Sequence, residues 1–454
     1  LAQAALRGIL DRAADFVKFT EKGDTPARPP GYVVADILSL PDLPFPGLRG
    51  FAETPVFLQG GKILDRSGYD LDSGLYLYLH DSDGVRRDMP LEEARSLLVD
   101  ELLGDFPFAD DGSRAHYLAL LFQPFARHMI DGPTPLYLVD APSRGTGKGL
   151  LVDVASVVSL GRPAHVMVLP RDEDELDKRI TATLIEGHSI VLLDNVVSLK
   201  STSLSAVLTT TLWRGRRLGK SEMVEVPNAT TWIATGNNVA FSDEMVRRTV
   251  HTRLDAGVER PEERTGFRHL DLMAWVRSNR TSLVSACLSI AQAWIDAGMP
   301  SGTGTLGRFE RWVEVMGGIL RVAGVEGFMS NREALYSGAD AETHGWTLLC
   351  QAWWEQYRER PITAKDVLEI AKDNNVVMDI WAGRNALGAQ QRFGHALAAR
   401  RDRVFGDYRI RKAGSDGETK SLAYRLERGG GFKTPETPVT TNSRYEVEPD
   451  GRRV

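Results

Sequence analysis

Residues 136–160 read LYLVD-APSRGTGKGL-LVDVASVVSL: an apolar run, a glycine-rich turn, then an apolar helix-like stretch. The middle segment departs twice from the pattern G-x-x-x-x-G-K-[ST], whose backbone cradles phosphates. Pro142 stands where the first glycine is expected, and Gly149 where the magnesium-touching hydroxyl is expected. Gly145 and Gly147 still permit the backbone that turns successive N–H groups inward. Lys148 still brings a compact cation to the start of the following helix. Ser143, Arg144, Gly145, Thr146, Gly147, Lys148, Gly149 and Leu150 are therefore candidate nucleotide-binding residues. The competing reading is a structural glycine turn, and the strand–loop–helix context argues against it.

Working outward, the middle third alternates strands and helices. HVMVLP, SIVLLD (189–194), ATTWIAT (229–235) and VHTRLD read as strands, with EDELDKRITATLIEG and SLSAVLTTTLW as helices between. That alternation predicts a three-layer α/β domain with a mostly parallel sheet. Asp194 ends a buried strand and is the candidate Mg²⁺-orienting residue. Asn195 follows it and can orient water without acting as a base. Glu186, just before this strand, is an alternative base or ligand. WIATGNN places Asn237 and Asn238 at the tip of another strand, where an amide can touch a terminal phosphate or align water; an ordinary Asx turn is the alternative. Arg247 or Arg248, before the last strand, is placed to stabilise developing phosphoryl charge from a neighbouring copy. A surface ion pair is the alternative for either arginine.

Two basic segments flank this core. RGRRLGKSEMVEV holds Arg214, Arg216, Arg217 and Lys220 on what reads as a hairpin, fit to grip a DNA backbone or simply exposed as a basic surface loop. Near the C-terminus, helices are followed by two strand-like runs. Arg392, Arg400 and Arg401 lie on or beside the second helix, and Arg409, Arg411 and Lys412 on the hairpin. This pattern suggests a winged-helix module for duplex DNA, with protein docking as its rival.

The predicted organisation is an N-terminal α+β region over 1–114, the α/β core over 115–265, a helical domain over 266–359, the winged-helix-like module over 360–428 and a flexible tail over 429–454. Within the first region, residues 1–20 read as a helix, PVFLQGGKILD as a hairpin and 91–103 as a helix. The chain has 454 residues and a formal net charge of -6, which argues mildly against a passive nucleic-acid coat. Its two cysteines, Cys287 and Cys350, have no partner at metal-ligand spacing, so a reducing, cytoplasmic setting is expected. No apolar run is long enough to predict a membrane span.

Taken together, the Lys148 loop, the Asp194 strand, the basic segment, TGNN and DEMVRR resemble an AAA+ ATPase over roughly 115–330. More narrowly they are similar to the superfamily 3 and poxvirus-D5-like helicases of phages, plasmids and integrated elements. The resemblance implies a P-loop ATPase core that uses ATP and Mg²⁺, with Lys148 as the Walker A lysine and Asp194 as the Walker B acid. Asn237 or Asn238 becomes the sensor, and Arg247 or Arg248 the arginine finger. It also implies a hexameric ring moving on single-stranded DNA at forks, and a primase-polymerase partner. An initiator or loader that assembles on DNA without unwinding it, a nucleotide kinase suggested by the G-K-G loop, and an ATP-binding protein without turnover are the alternatives. Gly149 and Asn195 depart from the family pattern and leave the rate of hydrolysis open.

Overall fold

The computed structural model describes residues 3–40, 46–79, 84–170, 172–217, 222–381, 386–415 and 422–429. It is a mixed α/β architecture around a parallel-stranded core sheet, with helical and antiparallel regions beside it. The five-stranded sheet comprises Leu136–Ala141 (β1), His165–Met167 (β2), Ile190–Leu199 (β3), Thr231–Phe241 (β4) and Thr249–Arg253 (β5), ordered β5-β1-β4-β3-β2. β1 is parallel to β4, with Ala141 opposite Asn237, and β3 is parallel to β2, with Val191 opposite His165. All six residues of β1 are buried, as are 190–193 of β3 and 231–236 of β4. Continuous apolar runs of this kind suit strands covered on both faces.

The connecting helices are Asp111–Ala126 (α1), Lys148–Leu160 (α2), Glu173–Glu186 (α3) and Thr202–Leu208 (α4). Three begin on a side-chain cap. Asp110 accepts from the Ser113 N–H, Asp172 from Glu175 and Ser201 from Leu204. α2 begins instead on Gly147, which offers no side chain to its first N–H groups. Those donors are left to a ligand or to water.

Contacts group Leu1–Val196, Ser201–Asn238 and Thr252–Phe328 into one compact unit, and Val197–Lys200, Val239–His251 and Met329–Val454 into another. In the first unit the chain opens with a helix, Gln3–Ala13, but Phe16–Thr20 is a strand paired with Gly23–Ala27. The expected helix over 1–20 is thus cut short. FVKFT is rich in aromatic and β-branched residues, and a partner strand across Glu21-Lys22 decides its state. The PVFLQGGKILD hairpin forms, with Val56 opposite Leu64. Leu212–Arg216 is also a strand, paired with Met223–Pro227, so the helix read through Trp213 ends at Leu208.

A buried polar cluster ties the helix Glu310–Val322 to this core. Gln123 on α1 donates to Thr231 at 2.9 Å, while its carbonyl oxygen accepts from Tyr137 at 2.8 Å and from the Trp312 indole at 2.8 Å. Replacing Gln123 by leucine removes one hydrogen bond from each of three buried groups, although the Trp312 indole still donates to the Tyr137 hydroxyl at 3.0 Å. We expect a loss of about 2–4 kcal/mol, read as a lowered denaturant midpoint. A midpoint within error of wild type would show that the three groups find other partners.

The second unit packs the helix Arg332–Tyr357 and the helices Ala364–Asp373 and Ala386–Ala399 with a four-stranded antiparallel sheet. Thr363 and Asp366 form a reciprocal capping box at the start of Ala364–Asp373. Trp346, Trp353, Phe393 and Phe405 are its largest fully buried side chains. Of the tail read over 429–454, only Gly429 lies within the described residues.

Candidate functional site

The loop after β1 has the conformation its glycines were expected to allow. Gly145 (φ 75°) and Gly147 (φ 95°) are left-handed, and α2 starts at Lys148. A Cβ on Gly145 would lie 2.7 Å from a Glu262 carboxylate oxygen, so crowding as well as backbone angle requires glycine there. A Cβ on Gly149 would meet nothing within 4 Å. The missing hydroxyl is therefore not forced by lack of space. Thr146 is buried, Ser143 and Leu150 are half-buried, and Arg144 is exposed.

Lys148 joins the loop to β4. Its ammonium donates to Asn237 Oδ1 at 2.8 Å, to the Ser143 carbonyl at 3.1 Å and to Thr146 Oγ1 at 3.3 Å. Burial lowers its pKa from the ordinary lysine value, and the nearby Asp140 and Asp194 carboxylates oppose that shift. Asn237 is thus the amide at the lysine. Asn238, the other candidate, accepts instead from Arg253 at 3.0 Å.

Asp194 is held from two sides. Thr235 Oγ1 donates to its Oδ1 at 2.5 Å, and the Asn195 amide donates to its Oδ2 at 3.2 Å. Asn195 itself is left-handed (φ 53°), and its N–H donates to Thr235 Oγ1 at 3.2 Å. Asp153 on α2 lies close enough to feel Asp194. Its pKa is raised chiefly by burial, with Arg277 lowering it and Asp194 raising it further. Glu186 is elsewhere. Ser189 accepts from the Thr231 N–H, so Glu186 lies near the start of β4 while Asn237 lies toward the other end, and its carboxylate meets His188. It is not assembled with the loop.

Several residues of the site were missed by sequence reasoning. Arg253 bonds Asp140 at 2.6 Å as well as Asn238, bracing the end of β1 against β4. Thr235 positions Asp194. Beside the loop, a cavity of about 490 Å³ is lined by Phe106, Pro107, Gly145–Gly147, Leu150, Phe267, Leu270 and Met273, with Asp105, Arg264, His269 and Asp271 among its polar groups. Only the position of Arg253 at a strand end signalled anything beforehand. The cavity walls come from segments far apart in sequence.

The remaining candidates differ in how much charge they keep. Arg248 pairs with Glu244 at 2.6 Å, while Arg247 is exposed. On the hairpin, Arg214 is paired with Glu225 and Arg217 with Glu222, Arg216 is exposed, and Lys220 lies outside the described residues. The hairpin is seated by Trp213, whose indole donates to Thr181 at 2.9 Å. In the second unit Arg411 is bound by Asp402 and Glu427, and Arg401 by Asp402. Arg400 stacks on Trp346 at 4.6 Å, and Arg409 is half-buried. Arg392 and Lys412 are exposed. Both cysteines are buried and free, and among the described residues no helix is long and apolar enough to cross a membrane.

No family model matches the chain, and no curated protein matches it. The chain is distantly similar to solved structures, among them helicases. The A-form apo structure of the NrS-1 C-terminal region is 14% identical, with 94% of this chain and 100% of that chain covered and a TM-score of 0.37. SCCmec type IV Cch, an active helicase, is 12% identical over 88% and 82%, with a TM-score of 0.36. The X-ray structure of JCV helicase is 14% identical over 57% and 75%, with a TM-score of 0.23. Similarity of this degree says nothing about chemistry, which has to come from this chain's own residues.

Proposed function

We propose that the chain is an AAA+ ATPase of the superfamily 3 and D5-like kind: a DNA helicase or translocase that hydrolyses ATP between copies in a ring, hexameric by family resemblance. The observation that carries this reading is the convergence of Lys148 at the start of α2, Asp194 on β3 and Asn237 on β4, beside a cavity of nucleoside size. β4 lies between β1 and β3, as a sensor between the two phosphate-facing motifs requires. The loop N–H groups and Lys148 would hold the phosphates, and Phe106, Phe267 and Met273 would cover the base. Asn237 would orient the terminal phosphate or its attacking water, with Asn195 as a second polar group that cannot take the proton.

The donor set fits Mg²⁺. Asp194 would hold the ion, with Asp153 within electrostatic reach on α2, and the space beside Gly149 leaves room for coordinated water. Bound there, the ion would neutralise charge on the phosphates. Replacing Gly149 by serine should therefore be tolerated and even add about 0.5 kcal/mol, because glycine is a poor helix former. The same variant should lower the Mg²⁺ concentration needed for half-maximal hydrolysis. An unchanged Mg²⁺ dependence would place the ion away from α2.

The basic hairpin and the winged-helix-like module are the proposed DNA contacts, to single strands and forked duplex, with Lys220, Arg392 and Lys412 as the first residues to neutralise. A primase-polymerase partner is part of the same reading. The deciding experiment measures DNA-stimulated ATP hydrolysis and fork unwinding together. Unwinding that requires ATP supports the motor. Vigorous stimulated hydrolysis with no strand separation on either fork polarity overturns it in favour of an initiator or loader.

A further inference from the structure

Glu186, unused by the nucleotide site, belongs to a second cluster of chemistry-bearing side chains. We propose that His165, Glu186 and His188 form a binding site for a divalent first-row metal ion, Zn²⁺ by preference, at the end of the sheet away from the phosphate loop. One ligand atom from each of the three residues lies within 4.8 Å of the others. The Glu186 carboxylate and His188 Nε2 are 2.8 Å apart, and the two imidazole rings stack with centroids 4.0 Å apart. Two nitrogens and a carboxylate oxygen are a donor set that zinc accepts, with water completing four-coordination.

The backbone holds these donors independently of any ion. His165 is the first residue of β2 and lies opposite Val191 of β3. Gly187 closes α3 in the left-handed conformation (φ 75°), turning the chain so that the side chains on either side of it meet. The His188 carbonyl is fixed by the Thr230 hydroxyl at 2.9 Å.

The surroundings leave the cluster open to a cation from solvent. Arg162, a nearby cation, is clamped by Glu53 at 2.7–3.0 Å and so largely neutralised. Glu186 is exposed, which leaves an approach for the ion. Bound there, it would clip the edge strand β2 to the turn between α3 and β3.

The test uses the whole chain, stripped with chelator and titrated with Zn²⁺ alone by calorimetry, with Co²⁺ as a spectroscopic probe. We expect one tight site per chain, a raised melting temperature with Zn²⁺, and ligand-field bands with Co²⁺. The double variant His165→Ala/His188→Ala should lose all three while keeping the metal-free circular dichroism. Glu186→Gln, at an exposed position, should weaken Zn²⁺ binding about tenfold or more, and it decides the matter if the double variant does not fold. Absence of a tight site in the wild type would overturn the proposal. So would Zn²⁺ affinity and thermal shift that survive unchanged in the variants. None of these readouts depends on nucleotide turnover.

Discussion

Lys148→Ala is expected to lower ATP hydrolysis by about a hundredfold to a thousandfold, the scale of losing one preorganised charge donor at a phosphoryl group. The ammonium is the cation that directly joins the loop to Asn237, through bonds to Ser143, Thr146 and the amide. Its removal takes away a partly desolvated charge from the loop. The helix itself does not need this side chain, since alanine is a better helix former. A folded protein without turnover is therefore the expected outcome, checked by phosphate release alongside thermal melting. Lys148→Arg should not restore the rate, because a planar guanidinium fork cannot reproduce a compact ammonium inside a tight loop. Hydrolysis at the wild-type rate in the alanine variant would show that the loop is a structural turn after all.

Arg247→Ala should be nearly as damaging, and Arg248→Ala should not. A finger that completes a neighbour's site contributes about a thousandfold or more to phosphoryl transfer. Sequence reasoning left the two arginines equivalent. The structure separates them, because Arg248 is held by Glu244 and Arg247 is exposed. Losing the Arg248 pair should cost no more than about 1 kcal/mol of stability, as partly exposed ion pairs do. Mixing Arg247→Ala with Lys148→Ala chains supplies the decisive control. Hybrid interfaces then pair an intact loop on one copy with an intact arginine on the next, and part of the hydrolysis should return. Intact rings with no recovery would remove Arg247 from the finger role.

Much of the candidate site was legible before any coordinates. The strand–loop–helix around Lys148, the carboxylate of Asp194 and the amides at 237–238 are local features. Each depends on hydrophobic period or glycine conformational freedom, which neighbouring residues set, although β3 and β4 run on past Asp194 and Asn237 to Leu199 and Phe241 instead of ending there. What misled the reading was non-local. FVKFT looked helical until its partner strand appeared at Gly23–Ala27. Glu186 looked like a site residue because it lies near Asp194 in sequence, yet the residues between them carry it to the start of the strand.

The sequence by itself determined the order of the core elements and the buried parallel strands, because backbone preference and apolar burial act over a few residues. Only the tertiary structure decided that Arg253 braces β1 against β4 and that Phe106 and Met273 share one cavity. It also decided that Arg411 and Arg214 are already paired and that His165 meets Glu186 and His188. These are meetings of charges and surfaces from segments far apart in the chain. Electrostatic pairing and cavity shape depend on distance in space, which sheet order and register set and which no single segment encodes.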